Sequence, residues 1–528
     1  MSAQYTLLDW LVFASYGAIL LLSGWWFNRK RANSSKDFFL GGNSMPTWMV
    51  AISVLATSQS AATFIGGPDQ GYQGDLSYLA TNIGAFIAAF IVSIFLIPKF
   101  YQQKVYTVYE LLEKRIGPKA KRRSGLMYLF GRVFASGARL YMAAIAVAMI
   151  LYGNINADSV IIATLLLALA GLLYTVFGGI RSVIYSDVLQ SVVYVSAAIA
   201  VIWCLLTLIP ADFSTILATL NEPTPGADPK LAIFKFDLDF GPSGVFNMAS
   251  VLTGFVLLNI AAFGLDQDMT QRLLTCKSEK EGSKALLLSI VMVIPVMLMF
   301  IFIGLLLYIV YQQPTLMNSD GAQVVQEFNG EKITIFMYYV LNEAPAGVKG
   351  LVSVGIIAAA ISTLNSGLSS MSSVIVQDLY RPYLAAKNKQ VADNHFVKAG
   401  RIGMAVVSLS LALMAIVCYF WQQYSDMPLL KFALSVMVFS YSGLLGVYFT
   451  TLFTKRGSEG SVLAALIVGF MITLFMQPYM IDWLLPASDR FYLGFTWQLC
   501  IGTALSTLVC CLGKPQLAQR GQSALGAQ

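Results

Sequence analysis

Apolar residues run along this chain in blocks of about 20 or more, split by short polar gaps, a pattern that predicts helices crossing a membrane. Thirteen such windows stand out, at roughly 8–27, 47–72, 76–99, 124–152, 159–178, 183–209, 244–265, 285–311, 348–376, 402–421, 428–453, 461–482 and 491–511. Windows 2 and 9 are interrupted by small and polar residues. The gap 210–243 is rich in Pro and Asp and reads as irregular. Within the gap 312–347, the apolar patch from Ile333 to Val340 suits a short helix, either covering the outer mouth or lying on the surface. The stretch after Pro515 reads as a disordered tail. The first window has its basic cluster behind it, so no cleavable signal peptide is expected.

Composition agrees. Hydrophobic residues make up 57% of the 528 and charged residues 12%, against roughly 25% charged in an ordinary soluble domain. That is too little polar surface to cover a water-soluble protein, so the chain reads as an all-α polytopic membrane protein embedded in a lipid bilayer. The net charge of +7 sits in short gaps between apolar windows, which argues against nucleic acid as a partner. Counting Lys349 and Lys99 at window edges with the gaps they adjoin, even-numbered gaps hold five basic residues, Lys230, Lys235, Lys332, Lys349 and Arg490, while odd-numbered gaps and the C-terminal tail hold 26. Positive charge collects on the cytoplasmic side. The expectation is a plasma (cytoplasmic, cell inner) membrane protein with its N-terminus outside and its C-terminus in the cytoplasm.

The chemistry is narrow. Most of the six cysteines fall in apolar windows and His395 is the only histidine. Neither a metal centre nor a haem is expected. Polar residues inside membrane windows are costly and mark function. Window 2 places Thr57, Ser58, Gln59, Ser60 and Thr63 close together, followed by Gly66-Gly67-Pro68. This composition suits a broken helix whose freed carbonyls can hold a cation. Window 9 carries Ser362, Thr363 and Ser366, with Ser362 and Ser366 one turn apart on one stripe. Hydroxyl and carbonyl oxygens suit a hard monovalent cation and lack the carboxylates of a calcium site. Asp187 lies inside window 6 and needs an ion, a pair or a proton; Arg181, six residues earlier, is a structural candidate for the pair. In window 4, Arg139 is the deeper of two arginines and wants an anionic or carbonyl partner. Arg132 can snorkel inward, as can Lys431 at its own boundary. The run Asp266 to Arg272 reads as a solvated inner loop, with a salt-bridge cluster as the alternative.

Across nearly the whole chain these residues resemble the sodium:solute symporter family. The stretches that carry the resemblance are Phe38-Phe39-Leu40-Gly41-Gly42, Ala56–Tyr72, Gly178 through Gln190, Asp268–Arg272 and Ala359–Ser366. It implies a leucine-transporter-like fold of about 13 transmembrane helices with two inverted five-helix repeats. Residues 1–35 would hold an extra N-terminal helix, 47–209 repeat one, 244–453 repeat two, 461–511 two appended helices, and 512–528 a disordered cytoplasmic tail. The resemblance further implies sodium as the coupling ion, held by the carbonyls of Ala56, Gln59 and Ala359 and the hydroxyls of Ser362 and Thr363. Some members hold a second sodium, whose matching positions here are Asp187, Ser362, Asn365 and Ser366, with Asn365 departing from a serine. By similarity to sialic acid symporters, the solute would meet Ser60, Thr63, Asn82 and Arg139, although Asn82 replaces a glutamine and Ala61 a hydroxyl residue.

The expected function is sodium-coupled uptake of a small organic solute by alternating access, the solute being a carboxylate such as sialic acid. A neutral sugar, another small carboxylate or an amino acid is the alternative. No obligate protein partner is expected. An enzyme would need a nucleophile, base or metal cluster, and a channel a continuous polar stripe. Here polarity concentrates midway along two windows, as an occluding site does.

Overall fold

The structure is a computed structural model describing residues 5–28, 34–176, 178–222, 229–317, 327–328, 331–422 and 429–514. The tail after 515 and the side chain of Lys431 lie outside the described residues. Helices make up nearly all of it: α1 (Leu7–Asn28), α2 (Thr47–Ser58), α3 (Ala61–Gln73), α4 (Ser77–Phe95), α5 (Pro118–Tyr152), α6 (Ala157–Thr175) and α7 (Gly179–Leu208) in the first half. There follow α8 (Met248–Gly264), α9 (Gln267–Leu273), α10 (Glu279–Gln312), α11 (Ile335–Asn342), α12 (Val348–Val374), α13 (Asp393–Gln422), α14 (Leu429–Phe453), α15 (Glu459–Phe475), α16 (Pro478–Leu484) and α17 (Phe495–Cys511). The strands described are one two-residue antiparallel pair, Glu327–Phe328 with Glu331–Lys332.

All thirteen apolar windows fall on helix. Nine helices among the described residues are long and apolar enough to cross a membrane alone. Three more windows hold bent pairs: Ser35–Asn43 with α2 at 110°, α8 with α9 at 58°, and α15 with α16 at 74°. The last window is α17, 17 residues long. On α13 the residues Ile402, Val406, Leu409, Leu413 and Val417 form a fully apolar, exposed stripe at helical spacing. Water would not tolerate such a stripe, but lipid does. By contrast α12 is buried along nearly its whole length and packs on α5, α6, α7 and α13.

Small residues bring the central helices together. A methyl group on Gly71 would lie 2.1 Å from the Ile301 carbonyl oxygen, and one on Gly304 would lie 1.9 Å from that of Pro68. Thus α3 and α10 touch backbone to backbone, with Gly67 and Gly71 one turn apart on the contact face, the small-residue packing that lets membrane helices approach. The Gly66-Gly67-Pro68 segment is therefore a packing surface within α3. The break in window 2 lies earlier, at Gln59 and Ser60, both extended. Window 7 contains a π-helical turn, Val251–Phe255, against which Gly84 of α4 packs.

Three sequence expectations are corrected by the packing. The patch Ile333 to Val340 becomes α11, and its Ile335, Phe336, Tyr339 and Val340 are buried rather than on the surface; Phe336 stacks 6.0 Å from Phe64 of α3. The run Asp266 to Arg272 is fully buried, not a solvated loop. Arg181 pairs with Asp37 at 3.2 Å and with the Gly41 carbonyl at 3.0 Å, not with Asp187.

Two polar contacts secure helix ends. Buried Asp9 of α1 accepts the backbone N–H groups of Gly347 (2.8 Å) and Gly350 (2.7 Å) and so caps α12. Lys230, in the segment before α8, donates to the Tyr72 and Gly74 carbonyls at 2.7 and 2.8 Å, answering the C-terminal end of α3. Burial pulls its pKa below the ordinary lysine value, with Asp75 acting in the opposite direction.

Candidate functional site

The break between α2 and α3 changes what the local backbone can do. Gln59 still donates to the Leu55 carbonyl at 2.9 Å, but the extended residues then end the helical ladder. Among the described residues no hydrogen bond reaches the carbonyls of Ala56 or Gln59. The Gln59 side-chain oxygen is likewise buried with no partner. Such orphaned oxygens are expensive in a membrane unless they ligate something.

Across from the break, α12 offers hydroxyls whose protons are already engaged. Thr363 Oγ1 donates to the Ala359 carbonyl at 3.0 Å, and Ser362 Oγ donates to Asp187 Oδ1 at 2.6 Å. Both oxygens keep lone pairs for a cation. A void of about 10 Å³ lies between the elements, lined by Ser60, Ala61, Ser136, Arg139, Ala360 and Thr363 among others. That is room for about one water or bare ion. Of the five residues expected to hold sodium, Thr363 lines this void; the carbonyl and hydroxyl oxygens of that set are of the type a hard monovalent cation takes.

Beside this void is a larger cavity of about 130 Å³, lined by Gln59, Asn82, Arg139, Asn259, Phe255, Met297, Met437 and others. Arg139 borders both spaces, projecting from the middle of α5. Its one hydrogen bond among the described residues goes to Met437 Sδ at 3.4 Å, and no carboxylate lies within ion-pair distance of it there. Asn82 donates to the Leu79 carbonyl at 2.9 Å and approaches Met297 Sδ at 3.2 Å. Of the four expected solute contacts, Asn82 and Arg139 share the cavity, Ser60 sits on the small void, and Thr63 lines neither, being buried one turn into α3. The sequence reading missed Asn259 and Ser136. Asn259 interrupts an apolar run and could have been flagged; Ser136, a single hydroxyl on a small-residue face, gave no such signal. Its Oγ is buried without a partner.

Asp187 has a different neighbourhood. It is fully buried and accepts from Ser53 Oγ at 2.5 Å, Ser362 Oγ at 2.6 Å and Arg272 Nη2 at 3.2 Å. Arg272 also donates from Nε to Ser53 Oγ (2.8 Å), from Nη1 to Asp268 at its carbonyl and carboxylate oxygens (2.7 and 2.8 Å), and from Nη2 to Ser366 Oγ. Asp268 and Asp266 in turn bind Arg132, the latter contact at 2.9 Å, and Tyr441 donates to Asp266 at 2.6 Å. Arg132 is thus buried and paired, and does not snorkel as the sequence suggested. Asn365 is drawn away toward α6: its amide reaches Thr175 Oγ1 at 2.8 Å and the Gly171 carbonyl at 3.1 Å, with its NH2 as donor. Of the residues expected around a second sodium, Asp187 and Ser362 touch directly, Ser366 joins through Arg272, and Asn365 bonds elsewhere.

Known proteins are similar to this chain along most of its length. Over 480 residues the chain is 26% identical to a sodium/sialic acid symporter, SiaT, of Proteus mirabilis, covering 89% of this chain and 90% of that one. It is 25% identical over 524 residues to a sodium/glucose cotransporter of Vibrio parahaemolyticus, covering 95% and 91%. A solved Na+-coupled sialic acid symporter in a substrate-bound outward-open state superposes with a TM-score of 0.78 at 23% identity, covering 96% of this chain and 98% of that one. Mhp1, a nucleobase-cation-symport transporter, follows at 0.54 and 14% identity, covering 90% and 94%. These structural likenesses show the leucine-transporter-like fold. The model of the sodium:solute symporter family matches residues 38–469, and the chain belongs to that family.

Proposed function

We propose that this sodium-coupled secondary transporter carries a solute bearing a carboxylate, an acidic sugar of the sialic acid type, with Arg139 as the anion clamp. The observation that carries the reading is Arg139 itself: a half-buried guanidinium mid-helix, on the cavity wall, whose described contacts include no carboxylate. A cation kept without an internal counter-ion in a membrane helix is costly, and an anionic ligand offsets that cost. The relatives named as sialic acid symporters support the same solute class. A neutral sugar is the second reading, favoured by the amides of Gln59, Asn82 and Asn259 on the same cavity and by the relative named as a glucose cotransporter.

In the proposed cycle, sodium binds the freed carbonyls of Ala56 and Gln59 together with the Ala359 carbonyl and the hydroxyls of Ser362 and Thr363. It ties α2 and α3 to α12 and orders the wall on which Ser60 and Arg139 stand. Solute then binds, and Thr63 comes into reach as α3 tilts inward. Residues 47–209 and 244–453, the two repeats, rock against each other to expose the site on the other side. Coupling is reciprocal, since sodium tightens solute by the factor with which solute tightens sodium. The abundance of basic residues in odd-numbered gaps supports a cytoplasmic C-terminus.

The test is thermal stabilisation of purified protein by a panel of sialic acids, neutral hexoses, amino acids and small carboxylates, with sodium, lithium, potassium or choline. Stabilisation by acidic sugars in sodium alone is expected. Stabilisation by neutral hexoses alone would return Arg139 to a structural role.

A further inference from the structure

Among the described residues the buried carboxylate of Asp187 is the one that Ser362 hydrogen-bonds, and its cation is already in place. Arg272 has five N–H donors, and all five have acceptors here: Ser53 Oγ, the Asp268 carbonyl, Asp268 Oδ1, Asp187 Oδ2 and Ser366 Oγ. Both side chains of the Arg272–Asp187 pair are fully buried. The Asp187 oxygens are in turn engaged, Oδ1 by Ser362 and Oδ2 by Ser53 and Arg272. Ser366, the other hydroxyl on that stripe, also gives its own proton to the Ser362 carbonyl at 2.8 Å. Asn365 faces Gly171 and Thr175 on α6.

From this we infer that Arg272 is the resident cation of Asp187, fills the place of a second sodium, and limits the transporter to one sodium per solute; the inference rests on the sodium-symport reading above. The reason is electrostatic. A sodium ion within ligand distance of Asp187 would sit beside the guanidinium, two like charges sharing one carboxylate in a medium that screens them poorly. A guanidinium fixed by its own helix cannot leave with the solute, so it neutralises Asp187 without contributing to coupling.

The experiment is equilibrium binding of radiolabelled sodium to the purified full-length protein, counted per chain, alongside the sodium dependence of solute uptake into proteoliposomes. One ion per chain, with a Hill coefficient near one, is expected. Arg272→Gln, which keeps length but removes the charge, should then gain a second ion per chain. Two ions bound to the wild-type protein would overturn the inference and leave sodium symport intact. A folded Arg272→Gln protein that still binds one ion would also overturn it, because something other than the arginine would then exclude the second. No sodium bound and no sodium-dependent uptake would overturn the transport reading and the inference together. Should Arg272→Gln fail to fold, the wild-type count decides.

Discussion

At the scale of single residues, charge and hydroxyl carry separable tasks. Arg139 borders both the larger cavity and the small void. Replacing it by alanine should abolish the selective effect of acidic solutes, since a hydrogen bond to a charged group contributes about 1.5–3 kcal/mol. The expected outcome for Arg139→Ala is an apparent solute affinity lowered about 10- to 100-fold, with the apparent sodium affinity measured without solute nearly unchanged; isothermal titration in each ligand checks it. Thr363→Ala should do the reverse. It removes one neutral ligand, about 1 kcal/mol, so apparent sodium affinity falls several-fold while solute binding in saturating sodium persists. Both residues draw notice in the sequence because each is polar inside an apolar window. Arg272 was visible too, but its importance was not. Written in the charged run Asp266 to Arg272, it looks like part of a polar gap, and only the 58° bend between α8 and α9 folds that run into the protein. Asn365 shows the opposite error: it sits at a matching position, yet its longer amide finds acceptors on α6.

Among the elements, the broken helix was expected from the polar run at Thr57–Thr63, and the break does lie within it, at Gln59 and Ser60. What periodicity could not reveal is the role of the glycines that follow. Gly66-Gly67-Pro68 reads as part of the break in a linear pattern, whereas the neighbours of Gly67 and Gly71 across the interface, Phe300, Ile301 and Gly304, are more than 200 positions away. The α3–α10 contact therefore makes a sharp prediction. In Gly304→Ala the new methyl group would occupy space held by the Pro68 carbonyl, 1.9 Å away. Overpacking of this kind costs about 1–3 kcal/mol, so the variant should melt at lower temperature in detergent. Because α3 also carries Ser60 to the site, solute-dependent stabilisation should weaken with it. A variant with unaltered melting and unaltered ligand response would show that the two helices separate without consequence. Gly17, with nothing within 4 Å of an added methyl group, is the matched control: Gly17→Ala should leave melting unchanged.

For the whole molecule, the network Asp187–Arg272–Asp268–Arg132–Asp266–Tyr441 connects α7, α9, α5 and α14, while Ser53 and Ser366 add α2 and α12. It joins the broken helix and both proposed repeats through one chain of alternating charges. Buried ion pairs contribute little net stability relative to apolar packing, yet losing one partner costs about 3–5 kcal/mol. The expected role of the network is therefore a latch: strong while every partner is present, weak once one is missing. Alternating access needs such a contact to separate, because both ends of a transporter cannot be open at once. Cys276, fully buried just beyond α9, reports on that end, with its carbonyl accepting from Tyr101 at 3.1 Å. In a variant keeping Cys276 as its only cysteine, Arg132→Gln should leave Asp266 without its cation and Asp268 with Arg272 alone, and raise the population of the separated form. A shift of about 1.4 kcal/mol is a tenfold change in population, so maleimide labelling of Cys276 should accelerate at least that much. Unchanged labelling with uptake abolished would make the network a static support, and the opening motion would have to run through other contacts.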